Sequence, residues 1–122
     1  MSFRCLMKVY ESVISTAAKK ENLYESKGEE SPPNSVVNQV YDKYKDKPIK
    51  FMDIYGEHSK RVGFEKSPVT KISQLHFSLS TLSFMGWIKL EDNGKPTEWN
   101  AYLTPWGYLN YGNLESKEWR DN

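Results

Sequence analysis

Apolar side chains recur every three or four residues in four stretches of the chain, which is the spacing of one face of an α-helix. The first stretch, residues 3–20, carries this repeat at Phe3, Leu6, Met7, Tyr10, Val13, Ile14 and Ala17. The second begins at Asn34 or Ser35, either of which is a suitable N-cap. The third covers residues 51–62, and the fourth covers residues 67–84 with a buried stripe at Ile72, Leu75, Leu79 and Leu82. The pattern therefore predicts four helices.

The fourth helical stretch is followed by a segment in which apolar residues have a two-residue period. Ile88 and Leu90 alternate with polar side chains, as in a strand that is buried on one face. The dipeptide Asn93-Gly94 supplies the positive φ of a tight turn. We therefore predict that residues 87–91 and 98–104 pair as antiparallel strands around this turn.

Three further signals complete the predicted order of elements. Ser67-Pro68 is a suitable start for the fourth helix, and Thr104-Pro105 repeats that start before a short closing helix. Gly63 and Gly86 are suitable ends for the third and fourth helices. Residues 49–51, Ile-Lys-Phe, can form a short strand. From residue 34 onward, the predicted order is helix, strand, helix, helix, strand, turn and strand.

This order resembles the winged helix-turn-helix superfamily, and two local motifs carry the likeness. Residues 82–88, Leu-Ser-Phe-Met-Gly-Trp-Ile, look like the junction between the recognition helix and the wing of such domains. Residues 102–107, Tyr-Leu-Thr-Pro-Trp-Gly, look like their exit from the wing. Residues 36–106 are also similar to the terminal winged helix of the third subunit of the eukaryotic origin recognition complex, although Pro105 interrupts the closing Leu-Thr-Trp-Gly found there.

The resemblance implies an α+β fold, a winged helix-turn-helix with a three-helix core, a β-hairpin wing and an extra N-terminal helix. The expected division is an N-terminal helix and linker at residues 1–30, the winged helix-turn-helix domain at residues 31–112 and a polar tail at residues 113–122.

The resemblance also implies a function, because such domains most often present one helix and one hairpin to duplex DNA. We expect a sequence-specific binder of double-stranded DNA, a small transcriptional regulator that acts as a homodimer. The expected dimer contacts come from the first helix, because one small domain is not expected to bury its apolar stripe fully. These contacts are Phe3, Leu6, Tyr10, Val13 and Ile14. The alternative is a protein–protein adaptor subunit of a larger assembly, for example one for replication, because the fold alone does not choose the partner.

The expected DNA-binding residues lie on the outer face of the fourth helix and at the tip of the wing. They are Lys66, Ser67, Thr70, Lys71, Ser73, Gln74, Phe77, Asn93 and Lys95. Gln74 can pair with adenine, and the lysines can hold phosphates. Phe77 is unusual in a helix that reads DNA. Together with Phe84 on a similar side, it favours the protein-binding alternative.

The composition suits one globular domain and sets limits on its partners. The chain has 122 residues, of which 38% are hydrophobic and 27% charged, and a net charge of +1. Residues 31–76 hold eight basic and five acidic side chains, so we expect the positive charge that attracts nucleic acid to lie there. The single Cys5 and the polar start of the chain favour an intracellular location, in the cytoplasm, the nucleoid or a nucleus. We also expect no membrane span.

The residues that carry enzyme chemistry are sparse. The chain has two histidines and one cysteine, and no pair of them has the spacing of zinc ligands. There is no glycine-rich phosphate loop. Asp53 and Glu57 lie four residues apart on one helix, where two like charges usually make a solvated face. We expect no enzyme activity, metal or cofactor, although a Ser-His-Asp triad assembled in space stays open at this point.

Overall fold

A computed structural model describes residues 3–63 and 68–114, with only the backbone given for residues 68–70. These residues form an α+β domain of five α-helices and a three-stranded antiparallel sheet. The elements are α1 (Phe3–Lys20), α2 (Asn34–Tyr44), β1 (Ile49–Lys50), α3 (Phe51–Val62), α4 (Pro68–Phe84), β2 (Ile88–Glu91), β3 (Asn100–Leu103) and α5 (Pro105–Gly112). A 3-10 turn, Pro96–Glu98, lies between β2 and β3.

The predicted helices are confirmed, with one difference at the start of α2. Gly63 caps α3 with a φ of 64°, as its position predicted. The N-cap of α2 is Pro33, so the prediction of Asn34 or Ser35 as the cap is wrong. The Pro33 backbone is extended, with a ψ of 153°, and its carbonyl oxygen accepts hydrogen bonds from the amides of Val36 and Val37. Asn34 therefore occupies the first helical position.

The sheet has the order β1-β3-β2, and the predicted hairpin is confirmed for residues 88–91 and 100–103. Its register pairs Ile88 with Leu103 and Leu90 with Ala101. The second strand begins two residues later than predicted, because Pro96–Glu98 forms the 3-10 turn. The predicted tight turn is instead a longer loop, residues 92–99, in which Gly94 has a φ of 99°.

Helix α1 lies in the middle of a single hydrophobic core. Its side chains at Met7, Tyr10, Val13, Ile14 and Ala17 are completely buried, and they belong to the same cluster as the apolar residues of the other helices and the sheet. Helices α2, α3 and α4 all pack against α1. Helix α1, which belongs to the predicted first segment, therefore supplies the centre of the domain.

This arrangement corrects the sequence-based argument for a homodimer. The argument required that one copy leave the apolar stripe of α1 uncovered, and it is wrong because the chain's own helices cover the stripe. Leu6, Tyr10, Val13 and Ile14 are between 0% and 7% exposed, so they are not available to a second copy. Among the five predicted dimer residues, only Phe3 reaches the surface, at 42% exposure, and its ring also lies edge-on to Trp87.

Helix α5 closes the domain against the turn that follows α4. Thr104 is its N-cap, as predicted, and the hydroxyl accepts a hydrogen bond from the amide of Gly107. The same hydroxyl lies 2.6 Å from the carbonyl oxygen of Gly86, to which it donates. Gly107 sits so close to the chain at Trp87 that an added Cβ would be 2.3 Å from the Trp87 carbonyl oxygen. Among the described residues, no helix is long and apolar enough to cross a membrane.

Candidate interaction surface

The rotation of α4 about its own axis is set by its buried leucines. Leu75, Leu79 and Leu82 are at most 1% exposed and belong to the core, as their spacing predicted. Ile72, predicted in the same stripe, is only partly buried. Because residues three, four and seven apart share a helix face, the opposite side of α4 is turned away from the core. That side holds Ser73, Phe77, Ser80 and Phe84, which we call the α4 seam.

The α4 seam exposes two large aromatic rings. Phe77 is 60% exposed and Phe84 is 93% exposed. The hydroxyl of Thr81, beside the seam, donates to the Phe77 carbonyl oxygen at 3.0 Å, so its hydrogen is used within the helix. An exposed apolar surface of this kind marks an interaction site more often than a single exposed leucine does.

The α4 seam also lacks charge. From residue 72 to residue 84 the chain contains no Lys, Arg, Asp or Glu, and His76 is its only ionisable side chain. The cation nearest to the seam along the described part of the helix is Lys71, whose side chain is partly buried and has an interaction within the domain. A phosphate backbone would therefore meet hydroxyl groups and phenyl rings on this face.

The predicted DNA-binding residues separate into three groups. Lys66 and Ser67 lie outside the described residues, and only the backbone of Thr70 is described. Ser73, Gln74 and Phe77 are exposed together on the outer side of α4, as predicted. Asn93 and Lys95 are exposed on the loop between β2 and β3.

The loop between β2 and β3 uses Asn93 to hold its own shape. The Asn93 side-chain amide donates to a Glu91 carboxylate oxygen at 3.2 Å and to the Glu98 carbonyl oxygen at 3.1 Å. Both of its amide hydrogens are thus engaged in the loop and are not free to donate to a base. Hydrogen bonds from Asn100 and Asn93 lower the pKa of Glu91 below its usual range, so this carboxylate stays charged. The loop therefore presents mainly negative charge.

The same loop is fixed to α4 by a pair of rings that the sequence analysis did not single out. The centroids of His76 and Trp99 are 4.4 Å apart, with an angle of 59° between the ring planes. The Trp99 carbonyl oxygen accepts a hydrogen bond from the Phe51 amide at 2.9 Å, which joins the loop to the start of α3. His76 and Trp99 lie 23 positions apart in the sequence, so no local pattern indicates the contact between their rings.

Four of the eight basic side chains in residues 31–76, namely Lys43, Lys47, Lys60 and Arg61, lie near carboxylates from other parts of the domain. Lys43 and Lys47 both pair with Glu21, and Lys60 lies 3.9 Å from a Glu25 carboxylate oxygen. Arg61 is buried and belongs to the interior. The surplus that favoured nucleic acid therefore does not form an open basic surface from these four side chains.

One buried serine and one buried histidine form a hydrogen-bonded pair of the kind that occurs in serine hydrolases. The Ser12 hydroxyl oxygen lies 2.7 Å from Nδ1 of His58. Burial, with Arg61 and Lys8 nearby, lowers the pKa of His58 to about 4, so the ring is neutral at pH 7. Ser12 is 0% exposed and also accepts a hydrogen bond from the Arg61 guanidinium at 2.8 Å. A substrate cannot reach this hydroxyl in the structure, so the pair acts in packing.

The same interior cluster fastens the connection between α1 and α2. Arg61 donates to the Glu30 carbonyl oxygen at 2.9 Å and lies 3.7 Å from a Glu11 carboxylate oxygen. The Tyr111 hydroxyl is 2.7 Å from the other Glu11 oxygen and 2.9 Å from the Pro32 carbonyl oxygen. Burial is the main cause that raises the pKa of Tyr111, so its hydroxyl keeps its proton. The cluster therefore joins α1, α3, α5 and the connection.

Among the described residues, neither metal coordination nor the cleft between α1 and α3 provides a further site. Within residues 3–63 and 68–114, no group of three or more His, Cys, Asp or Glu side chains is placed to hold a metal ion. A cleft of about 430 Å³ between α1 and α3 is lined in part by Lys19, Lys20 and Lys60, but each of these lysines faces a carboxylate.

Comparisons of the chain with protein families, with curated proteins and with solved structures found no match.

Proposed function

We propose that the chain is a winged helix-turn-helix domain that binds a protein through the α4 seam. The fold is supported by the order of its elements, by the hairpin that follows α4 directly, and by the sheet order β1-β3-β2, which puts the short first strand beside the last. The loop between β2 and β3 corresponds to the wing in this proposal. The alternative function expected from the sequence thus becomes the preferred one.

One observation carries the proposal: α4 offers two exposed phenyl rings on a face that has no charged side chain. The centres of protein interfaces are rich in aromatic residues and poor in charge. Affinity for duplex DNA, in contrast, comes largely from lysines and arginines that neutralise phosphates. The α4 seam has the aromatic, uncharged composition of a protein interface and lacks the lysines and arginines of a DNA-binding surface.

The wing supports the same choice. Residues 91–98 hold three carboxylates, Glu91, Asp92 and Glu98, and a single lysine, Lys95. A wing that enters the narrow minor groove meets strong negative potential, where arginine or lysine is favoured. Because the His76–Trp99 contact fixes this loop against α4, duplex DNA lying along α4 would meet these carboxylates as well.

Sequence-specific binding of duplex DNA, in a small regulator, is the second candidate. The exposed Ser73 and Gln74 favour it, because a glutamine amide on a recognition helix can pair with adenine in the major groove. Under this candidate Lys71 and Lys95 contact phosphates, and binding is steeply weakened by salt.

Two measurements on the full chain separate these candidates. The first replaces Phe77 or Phe84 with a photoreactive phenylalanine analogue in cells that make the protein, and identifies the cross-linked molecule by mass spectrometry. The control places the analogue at Met52, which is 44% exposed on α3. The second measures retardation of random-sequence duplex DNA at about 50 mM and about 200 mM salt.

We expect one protein to be cross-linked from both seam positions and not from position 52, with little duplex retardation at either salt concentration. The proposal is overturned if duplex DNA is retarded at the lower salt concentration, Gln74→Ala changes the base preference, and Phe77→Ser abolishes the complex. Absence of a protein cross-link from both seam positions also counts against it.

A further inference from the structure

We infer that the partner of the α4 seam is a second copy of this chain, bound with the two α4 helices antiparallel about a twofold axis. This inference rests on the proposed function and names its partner. The axis passes between positions 78 and 79 of the two helices. The expected product is a symmetric dimer in which the same surface is used by both copies.

The sizes of the seam residues fit such a pairing. The seam alternates small and large side chains, in the order Ser73, Phe77, Ser80 and Phe84. An antiparallel pair centred between positions 78 and 79 places Phe77 opposite Ser80 of the second copy, and Phe84 opposite its Ser73. Each phenyl ring then has a serine directly opposite, which leaves room for the ring, and the two Phe77 rings are offset by about 4.5 Å along the helix axis instead of being directly opposed. A parallel pairing in register would instead place each phenylalanine against itself.

The spacing of the seam also suits two packed helices. Its members are separated by four, three and four residues, which is the repeat that keeps one stripe of a helix facing a partner helix. Alternation of large and small residues across facing positions lets their side chains interdigitate. The stretch from residue 73 to residue 84 lies entirely within α4, so a regular helix backbone carries all four side chains.

The absence of charge is the second requirement of a twofold contact. A twofold axis places a side chain near the axis beside its own copy, so any charge there meets a like charge. The α4 face avoids this cost because residues 72–84 contain no Lys, Arg, Asp or Glu. Like charges brought together at an interface are unfavourable and usually exclude a partner. This face therefore suits self-association better than a mixed-charge face would.

The exposed area sets the strength that we expect. A phenylalanine side chain has about 200 Å² of surface, so exposures of 60% and 93% leave about 300 Å² of phenyl surface on each copy. Stable interfaces bury about 800 Å² per partner. The neighbouring Gln74 and Thr81 add to the area, but the interface stays small. We therefore expect a reversible dimer with a dissociation constant on the order of tens of micromolar.

Sedimentation velocity tests the dimer on the full chain from about 1 µM to about 500 µM. We expect a shift from monomer to dimer across this range. Phe77→Ser and Phe84→Ser should each raise the dissociation constant by about tenfold or more, as loss of a buried aromatic anchor does. Met52→Ser, at an exposed apolar position on α3, should leave it unchanged. Thermal unfolding in the monomeric range should be alike in all four proteins, because the three side chains are exposed.

Cysteine cross-linking tests the antiparallel register. In a Cys5→Ser background, Ser80→Cys places the two thiols about 4.5 Å apart along the helix axis, whereas Ser73→Cys places them about 16 Å apart. We expect a short bis-maleimide to link two copies of the Ser80→Cys variant and to leave the Ser73→Cys variant unlinked. Cross-linking of both variants would indicate a parallel pair and overturn the register.

The inference is overturned if the protein remains a monomer at about 500 µM. It is also overturned if a dimer forms that neither phenylalanine substitution weakens. A monomer whose seam positions cross-link to a different protein in cells overturns the second copy as partner and leaves the proposed protein-binding function standing. A monomer with duplex retardation that depends on Gln74 overturns both.

Discussion

His58 shows how a single buried residue makes the stability of the domain depend on pH. It is 7% exposed and lies between the Ser12 hydroxyl and the positive charges of Arg61 and Lys8. Protonation would place a further positive charge in this interior, and burial is the largest reason that the pKa of His58 falls to about 4. In the unfolded chain the same ring titrates near its ordinary value of about 6.5.

Acidification should therefore favour the unfolded chain. As the pH falls below about 6.5, His58 takes up a proton in the unfolded chain, whereas in the folded protein it does so only near pH 4. The contribution of His58 is fully present above pH 6.5, and about 2 kcal/mol of it should be lost by pH 5. Urea unfolding at about pH 7.5 and about pH 5 measures this loss in the free energy of unfolding.

The matched variant for this measurement is His58→Gln, which keeps a hydrogen-bonding side chain and removes the titration. It should lose less stability than the native protein over the same pH interval, even if it is less stable at both values. Equal losses in the two proteins would mean that His58 takes up its proton in the folded state near pH 6.5 and is not shielded by the interior.

At the scale of the elements, the contact between α5 and the start of β2 depends on one residue without a side chain. The Cα of Gly107 faces the Trp87 backbone, and the position of a Cβ there is 2.3 Å from the carbonyl oxygen and 3.1 Å from the Tyr10 hydroxyl. A backbone atom in a hydrogen-bonded turn moves less readily than the end of a side chain. The helix can therefore approach β2 this closely only with glycine at position 107.

Gly107→Ala should lower the free energy of unfolding by about 1 to 3 kcal/mol, the usual cost of an added methyl group in a packed interior. Gly112→Ala is the control, because it lies in the same helix with no atom within 4 Å of its added Cβ. We expect that control to leave the thermal midpoint unchanged or slightly higher. If both substitutions have the same effect, helix propensity and not the close approach decides the stability.

The elements also show what the sequence could predict. The bounds of α1 and α3 and the caps at Gly63 and Thr104 were predicted correctly, because each depends on residues within a few positions of one another. The start of α2 and the length of the loop between β2 and β3 were not. Pro33 takes the N-cap position of α2 that Asn34 was predicted to hold, and Pro96 begins a 3-10 turn that lengthens the loop predicted from Asn93-Gly94.

The candidate site was predictable only in part, for a similar reason. The outward direction of Ser73, Gln74 and Phe77 followed from the leucine spacing of α4. The pairing of Lys43, Lys47 and Arg61 with carboxylates did not, because their partners Glu21 and Glu11 lie 22 to 50 positions away. The hydrogen bonds of the Asn93 side chain to Glu91 and Glu98 could not be predicted either, because they depend on the length of the loop, which the sequence signals gave incorrectly.

At the scale of the whole molecule, the domain depends on α1. Helices α2, α3 and α4 pack against it, and its completely buried side chains lie among those of the other elements. Removing α1 would expose the apolar faces of three helices at once and leave Arg61 without the Glu11 carboxylate and the Ser12 hydroxyl. The segment from residue 31 onward therefore lacks the core that it needs for independent stability.

We expect a fragment of residues 31–122 to show no cooperative thermal unfolding by circular dichroism. Adding a peptide of residues 1–24 in molar excess should restore a cooperative transition, because the peptide supplies the missing centre of the core. A peptide with Ile14→Asp should not restore it, since that side chain would place a charge at a completely buried position. A cooperative transition in the fragment alone would show that α1 is an accessory helix.

The central position of α1 has a consequence for the synthesis of the protein. The Tyr111 hydroxyl meets Glu11 across 100 residues of chain, and α5 begins about 85 residues after α1 ends. At about 5 to 20 residues per second, a ribosome needs roughly 4 to 17 s to make that interval. Helices α2, α3 and α4 are made within that interval and can cover most of the apolar side of α1, but the part around Tyr10 and Glu11 waits for α5. Some of the most deeply buried surface of the finished domain is thus within reach of chaperones until α5 has been made.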